Sequence, residues 1–126
     1  MLASIAPDDL AANHEVLRSI FQAEMDYRRE RGSDQHFENL YWCAFLLHRV
    51  GDPSDVPMMW DAKHIDFDTR AGFDVQFLLG AGVDETLDYL RSNGGAAIAT
   101  ELARYPELTE DLQEWAEFRR GYFYGH

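Results

Sequence analysis

Three things are scarce in this chain of 126 residues, and each scarcity excludes a class of protein. Cysteine occurs once, at Cys43, so no disulfide can form within the chain and a disulfide-stapled secreted fold is excluded. Because Cys43 lies in an apolar stretch, we predict a small buried side chain and not a reactive thiol. No stretch approaches the ~20 apolar residues of a membrane-spanning helix. Residues 1–15 have no basic leader and no long apolar run, so we expect no secretory signal and a cytoplasmic protein.

Positive charge is the third scarcity. The chain has 11 Lys and Arg residues against 23 Asp and Glu residues, which gives a formal net charge of −12. Nucleic acids and anionic membranes attract positively charged surfaces, so we expect neither as a partner. A basic protein partner suits this charge, and an acidic surface that only keeps the protein soluble is the simpler alternative. The length fits a single helical domain over 1–126.

Apolar residues recur at helical spacing along most of the chain. This pattern predicts an all-α fold of about six or seven helices in antiparallel pairs. The first two helices are expected from about Pro7 to Arg31 and from about Gln35 to Val50. The second is apolar on nearly every face, which indicates a central position in the fold. A 29-residue offset relates Gly51–Asp55 to Gly80–Asp84, which favours a short HEAT-like helical repeat over a simple bundle.

One segment, 73–79, has an ambiguous pattern. Its apolar and polar residues alternate as in a strand, yet its two Phe residues also fit a helix. No second strand-like run exists to pair with it, so we predict a helix. The short helix after Pro53 is expected to be capped by Ser54 or Asp55, and two later helices by Asp84 and Thr109.

The middle of the chain holds the clearest candidates for chemistry. A cluster of one imidazole and several carboxylates could hold a divalent cation or act as general acid and base. The simpler alternative is that one acid caps a helix, another is solvated and the histidine closes the preceding helix. Lys63 could be a nucleophile if burial lowered its pKa, and an ion pair with Asp66 or Asp74 is the simpler alternative. No cofactor is expected. The cluster consists of His64, Asp66, Asp68 and Asp74.

The C-terminal region is acidic and aromatic, which indicates a binding surface. Three of its acids lie at helical spacing, and no basic residue occurs before Arg119. A solvated face is the simpler alternative. The aromatic tail over 121–126 is expected to fold back onto the body, and His14, His36 and His48 are expected at the surface or its boundary. The candidate binding residues are Glu107, Glu110, Asp111, Glu114, Glu117, Trp115, Tyr122 and Tyr124.

One block of sequence carries a resemblance. The pattern Asp55-Val56-Pro57-x-x-Trp60-x-Ala62-Lys63, followed by Phe67-Asp68-Thr69 and Gly72-x-Asp74-Val75-Gln76, is similar to a group of uncharacterised bacterial proteins. The resemblance covers about a quarter of the chain and implies a bacterial, cytosolic, helical protein, but carries no catalytic residue across. In size, charge and fold class the chain also loosely resembles immunity proteins, which neutralise toxins.

These observations lead to one main hypothesis and two alternatives. The main hypothesis is a protein-interaction module with an acidic face, of which an immunity or antitoxin protein is the most concrete form. The first alternative is a small metal-dependent hydrolase built on the His64–Asp74 cluster. The second is a structural subunit that forms a homodimer through its aromatic tail.

Overall fold

The computed structural model describes residues 13–31, 38–65, 70 and 73–124. These residues contain no strand, so the predicted all-α fold of about six helices is confirmed. The expected beginnings of the first two helices lie outside the described residues. The α-helices are α1 (His14–Arg31), α2 (Glu38–Val50), α3 (Val56–Lys63), α4 (Val83–Ser92), α5 (Ala96–Leu102) and α6 (Leu112–Tyr124). Three short 3₁₀ helices separate them: η1 (Pro53–Asp55), η2 (Val75–Leu79) and η3 (Pro106–Thr109).

Helix α2 is the central element, as its apolar pattern predicts. Seven of its eight side chains from Leu40 to Leu47 are buried, and α1 packs along it through Leu17, Phe21 and Met25. Cys43 is fully buried between the two helices, and its thiol donates a hydrogen bond to the Leu17 carbonyl oxygen at 3.2 Å. Burial raises the pKa of the Cys43 thiol, so the side chain is an inert part of the core, as predicted.

The last five residues of the ambiguous segment form η2, so the prediction of a helix is confirmed for Val75–Leu79, and the strand pattern is misleading. All five residues of η2 are buried against α2 and the surrounding helices. The ring of Phe77 packs edge-on against Phe73, with centroids 5.1 Å apart, and lies nearly parallel to Tyr41 at 6.3 Å. A 3₁₀ helix of five residues has little stability of its own, so this burial is what maintains it.

A close contact joins the end of α2 to the turn after η2. Gly51 has a φ of +77°, and a Cβ built on it would lie 3.1 Å from the Gly80 carbonyl oxygen. A Cβ on Gly80 would lie only 2.1 Å from the carbonyl oxygen of His48. Only glycine at Gly80 therefore allows the two backbones to approach this closely.

The first helix cap after α2 differs in part from the prediction. Asp52 caps η1, because its Oδ1 accepts hydrogen bonds from the backbone N–H of Ser54 at 2.9 Å and from the Ser54 hydroxyl at 2.7 Å. Asp55 occupies the cap position of α3, but its side chain makes no capping hydrogen bond. Its carboxylate points instead towards α1.

The two later cap predictions are wrong. Gly82, with a φ of +99°, precedes α4, while Asp84 lies inside the first turn, where its charge still suits the helix dipole. Thr109 ends η3, and its hydroxyl donates to the Pro106 carbonyl oxygen at 2.8 Å. The cap of α6 is Asp111, whose Oδ1 accepts from the backbone N–H groups of Gln113 at 3.0 Å and Glu114 at 3.1 Å.

Candidate functional site

An open groove of about 500 Å³ lies at the beginning of α6. Four of its five lining residues belong to the acidic and aromatic surface that the sequence predicts. The fifth, Phe118, is 67% exposed and was missed. Its position three residues after Trp115 and four after Glu114 places it on the same helix face, so helical spacing could have identified it. The groove is lined by Glu110, Asp111, Glu114, Trp115 and Phe118.

The three carboxylates of the groove differ in how much they are already engaged. Asp111 is committed to capping α6. Glu110 accepts one hydrogen bond, from the Gln76 side-chain amide at 3.2 Å. Glu114 is exposed, and its carboxylate makes no hydrogen bond or ion pair with any described residue. Glu114 is therefore the carboxylate most available to a ligand.

Trp115 is held firmly behind the groove. Its indole N–H donates to Oδ2 of Asp74 at 2.9 Å, and its ring packs against those of His48 at 4.9 Å and Phe77 at 5.2 Å. The same Asp74 oxygen accepts from Arg119 Nε at 3.0 Å and Nη2 at 2.8 Å. Asp74 thus attaches α6 to the core, and the charge of Arg119 is balanced internally.

The remaining members of the predicted acidic face are spread more widely. Glu107 lies in η3, and Glu117 is exposed further along α6. The aromatic tail predicted over 121–126 begins inside α6. Phe123 packs onto the body as expected, since its ring stacks on that of Trp42 with centroids 6.0 Å apart and an interplanar angle of 13°. Tyr122 is 52% exposed beside Arg119. The side chain of Tyr124 lies outside the described residues.

The predicted cluster around His64 is only partly visible. Asp66 and Asp68 lie outside the described residues. His64 ends α3, its Nδ1–H donates to the Trp60 carbonyl oxygen at 2.7 Å, and its ring packs on the Trp60 indole at 4.5 Å. Asp74 is engaged by Trp115 and Arg119. Within the described ranges, no three His, Cys, Asp or Glu side chains lie close enough together to hold a metal ion.

Lys63 is buried, but it does not form the ion pair expected with Asp74. Its ammonium group donates to the carbonyl oxygens of Arg70, at 2.8 Å, and Phe73, and lies 5.6 Å from the centroid of the Tyr105 ring. Burial lowers the pKa of Lys63, as a lysine nucleophile requires. However, the side chain is 4% exposed and two carbonyls bind its nitrogen, so its evident role is to hold the chain after α3.

A buried ion-pair cluster that the sequence did not reveal joins α1 to η1. Asp55 is 2% exposed, and its two oxygens lie 2.7 Å from His14 Nε2 and 2.6 Å from Arg18 Nε. Arg18 also reaches Ser54 at 2.9 Å. His14 and His48 are half-buried, as expected for residues at the boundary of the surface, but both make contacts that the sequence did not predict. His36 lies outside the described residues. About 40 residues separate the partners, and no local pattern signals such a pair.

No family model matches the chain, and neither a curated protein nor a solved structure matches it. The resemblances to bacterial proteins and to immunity proteins stay predictions. Among the described helices, none combines the length and the apolar character needed to cross a membrane. The function is therefore argued from the chemistry of the groove at the beginning of α6.

Proposed function

We propose that this protein is a protein-binding module that holds a basic segment of a partner in the groove of α6. The observation that carries the proposal is the presence of carboxylates and an exposed aromatic side chain in one groove. Carboxylates alone are usually solvated, and an isolated exposed aromatic residue is common. Together they supply the two components of a protein interface, an apolar anchor and a charged rim.

The charge of the groove favours a cationic occupant. Four carboxylates occur from Glu110 to Glu117, and no basic residue lies among them. The next cation, Arg119, is paired with Asp74. An arginine or lysine of the partner could form charge-assisted hydrogen bonds with Glu114. Its aliphatic stem or cationic head could then lie on the ring of Phe118.

The rigidity of the groove also supports binding. Trp115 is fixed by its hydrogen bond to Asp74 and by ring contacts with His48 and Phe77. A groove whose side chains are already ordered loses little conformational entropy when a partner binds, so more of the interaction energy appears as affinity.

An immunity-type protein, which neutralises a toxin by binding it, is the most concrete form of the proposal. Its support is size, net charge and helical fold class.

The first test identifies the partner. The protein is immobilised and exposed to an extract of its source cell, and bound proteins are identified by mass spectrometry after washes at low and at high salt. We expect a basic protein that is retained at low salt and released at high salt, because salt screens exposed charges. A partner with no basic surface, retained equally in both washes, would contradict charge-steered binding.

Matched variants then test the groove itself. Glu114→Lys should weaken the partner's affinity at least about tenfold, because it replaces attraction with repulsion at the centre of the groove. Glu85→Lys is the control, since Glu85 is also exposed in the first turn of a helix, α4, and the helix-dipole cost is the same. Phe118→Ala tests the apolar anchor and should also weaken binding about tenfold. Equal affinity of the wild type and both groove variants, measured by calorimetry, would refute the proposal.

A further inference from the structure

The groove at the beginning of α6 contains more carboxylate oxygens than the fold uses. Both hydrogen bonds that Asp111 accepts go to its Oδ1, and the one that Glu110 accepts goes to its Oε1. Among the described residues, Oδ2 of Asp111, Oε2 of Glu110 and both carboxylate oxygens of Glu114 have no hydrogen-bond partner. The groove therefore offers four carboxylate oxygens as acceptors to an occupant.

An exposed aromatic ring lies beside these oxygens. Phe118 is 67% exposed and follows Glu114 by four residues on α6, so the two side chains are neighbours on the helix surface. A cation bound to the Glu114 carboxylate therefore lies within reach of the Phe118 ring. A planar guanidinium can place its N–H edge on a carboxylate and its face on a ring, whereas an ammonium is a compact and strongly hydrated point charge.

The same helix already holds one guanidinium of the chain in this manner. Oδ2 of Asp74 accepts hydrogen bonds from Arg119 Nε at 3.0 Å and from Nη2 at 2.8 Å. The guanidinium carbon lies 5.2 Å from the ring centroids of Phe77 and Tyr122, and 5.6 Å from that of Phe123. These are distances at which a cation is attracted to an aromatic face. A carboxylate beside aromatic rings is thus a combination that binds arginine within this fold.

We propose that the groove selects arginine over lysine in the basic segment that it binds. This inference rests on the proposed function and adds the identity of the side chain that occupies the groove. A guanidinium has five N–H donors in one plane, against three on an ammonium, so it can engage more of the available oxygens while its face lies on Phe118. It is also less strongly hydrated, so its transfer from water into the groove costs less free energy.

Two peptides test this selection: triarginine and trilysine, each blocked at both ends and therefore equal in length and charge. The isotope-labelled full chain is titrated with each peptide at ~0.15 M salt, where screening is the same for both. NMR follows the indole N–H of Trp115 and the backbone N–H groups of Glu114 and Phe118. We expect these resonances to shift, with a dissociation constant at least about threefold lower for triarginine, because the guanidinium gains more from the ring and the carboxylates.

A matched pair of variants tests the ring. Phe118→Leu keeps an apolar side chain but removes the aromatic face, so the two peptides should then bind with affinities within about twofold of each other. Tyr27→Leu is the control, because it removes an exposed ring from α1, and it should keep the wild-type preference. Both positions are exposed, so both variants should fold.

The outcomes separate this inference from the proposed function. Equal affinity for the two peptides at the groove, or tighter binding of trilysine, would overturn the selection of arginine and leave the proposed function intact. An unchanged preference in Phe118→Leu would also overturn it, because the ring would then contribute nothing to the selection. If neither peptide shifted the groove resonances at ~5 mM, the proposed function would fail together with the inference.

Discussion

Acid should destabilise this protein through His48. The ring of His48 lies between Phe45, at 6.4 Å, and Trp115, at 4.9 Å, and its Nδ1 lies 2.8 Å from the carbonyl oxygen of Gln76. A carbonyl oxygen can only accept, so Nδ1 carries the proton of the neutral ring. Protonation therefore has to occur at Nε2, in the aromatic environment between α2 and α6.

The size of the effect follows from the pKa. Burial lowers the pKa of His48 from 6.5 to about 4, although hydrogen bonds to the backbone partly oppose the change. The unfolded chain, with a pKa near 6.5, binds the proton first as the pH falls. Stability is therefore complete above pH 6.5 and is lost as the pH falls towards the folded-state pKa. At about 1.36 kcal/mol per pH unit, the loss between neutral pH and pH 4 is about 3 kcal/mol.

The assay is urea unfolding of the wild type and two variants at about pH 7.5 and pH 4. His48→Asn keeps an amide N–H that can reach the Gln76 carbonyl but has no titrating ring. Its free energy of unfolding should therefore fall about 3 kcal/mol less than that of the wild type over this pH range. His64→Gln, at the end of α3, is the control and should follow the wild type. If the free energy of unfolding fell equally in the wild type and in His48→Asn, protonation of His48 would not be the cause of the destabilisation in acid.

Two other substitutions test contacts that hold the helices together. Asp55→Ala removes the carboxylate that both His14 and Arg18 contact. It should lower the free energy of unfolding by about 2–3 kcal/mol. This is less than the loss expected for a fully buried ion pair, because Arg18 is partly exposed to solvent. Gly80→Ala places a Cβ against the His48 carbonyl oxygen and should cost more than about 2 kcal/mol. Gly94→Ala meets no atom and should cost only about 1 kcal/mol for its positive φ. Chemical denaturation measures all three, and equal losses for the two glycines would refute the close-contact argument.

The all-α fold and the central position of α2 could be predicted because they depend on periodicity, which is local. The same is true of the helix at 73–79, where the decisive argument was that a lone strand leaves its backbone unpaired. Four groove residues were also found from the local run of acidic and aromatic residues around the beginning of α6. Phe118 was missed because the sequence alone does not show which aromatic residues of α6 remain exposed.

The polar contacts could not be predicted, because they join residues far apart in the chain. Asp74 lies 41 residues from Trp115, and Asp55 lies 41 residues from His14. The caps failed for a related reason. Asp52, Asp84, Thr109 and Asp111 all have side chains that can cap a helix, and the backbone conformation at each position decides which one does.

The acidic residues discussed above, all within the described part of the chain, have three physical roles, and the roles decide which of them can bind a partner. Asp55 and Asp74 are engaged in ion pairs within the fold, so recruiting either one would break a contact that holds a helix in place. Asp52 and Asp111 accept backbone hydrogen bonds at helix starts, and a ligand would compete with those bonds. The Glu114 carboxylate has no partner among the described residues, so a cation can bind it without breaking a contact of the fold. The net charge therefore suggests more carboxylates available for binding than the fold leaves free. For this reason, substitution of Glu114 alone distinguishes a role in binding from a role in solubility better than neutralisation of the whole acidic face does.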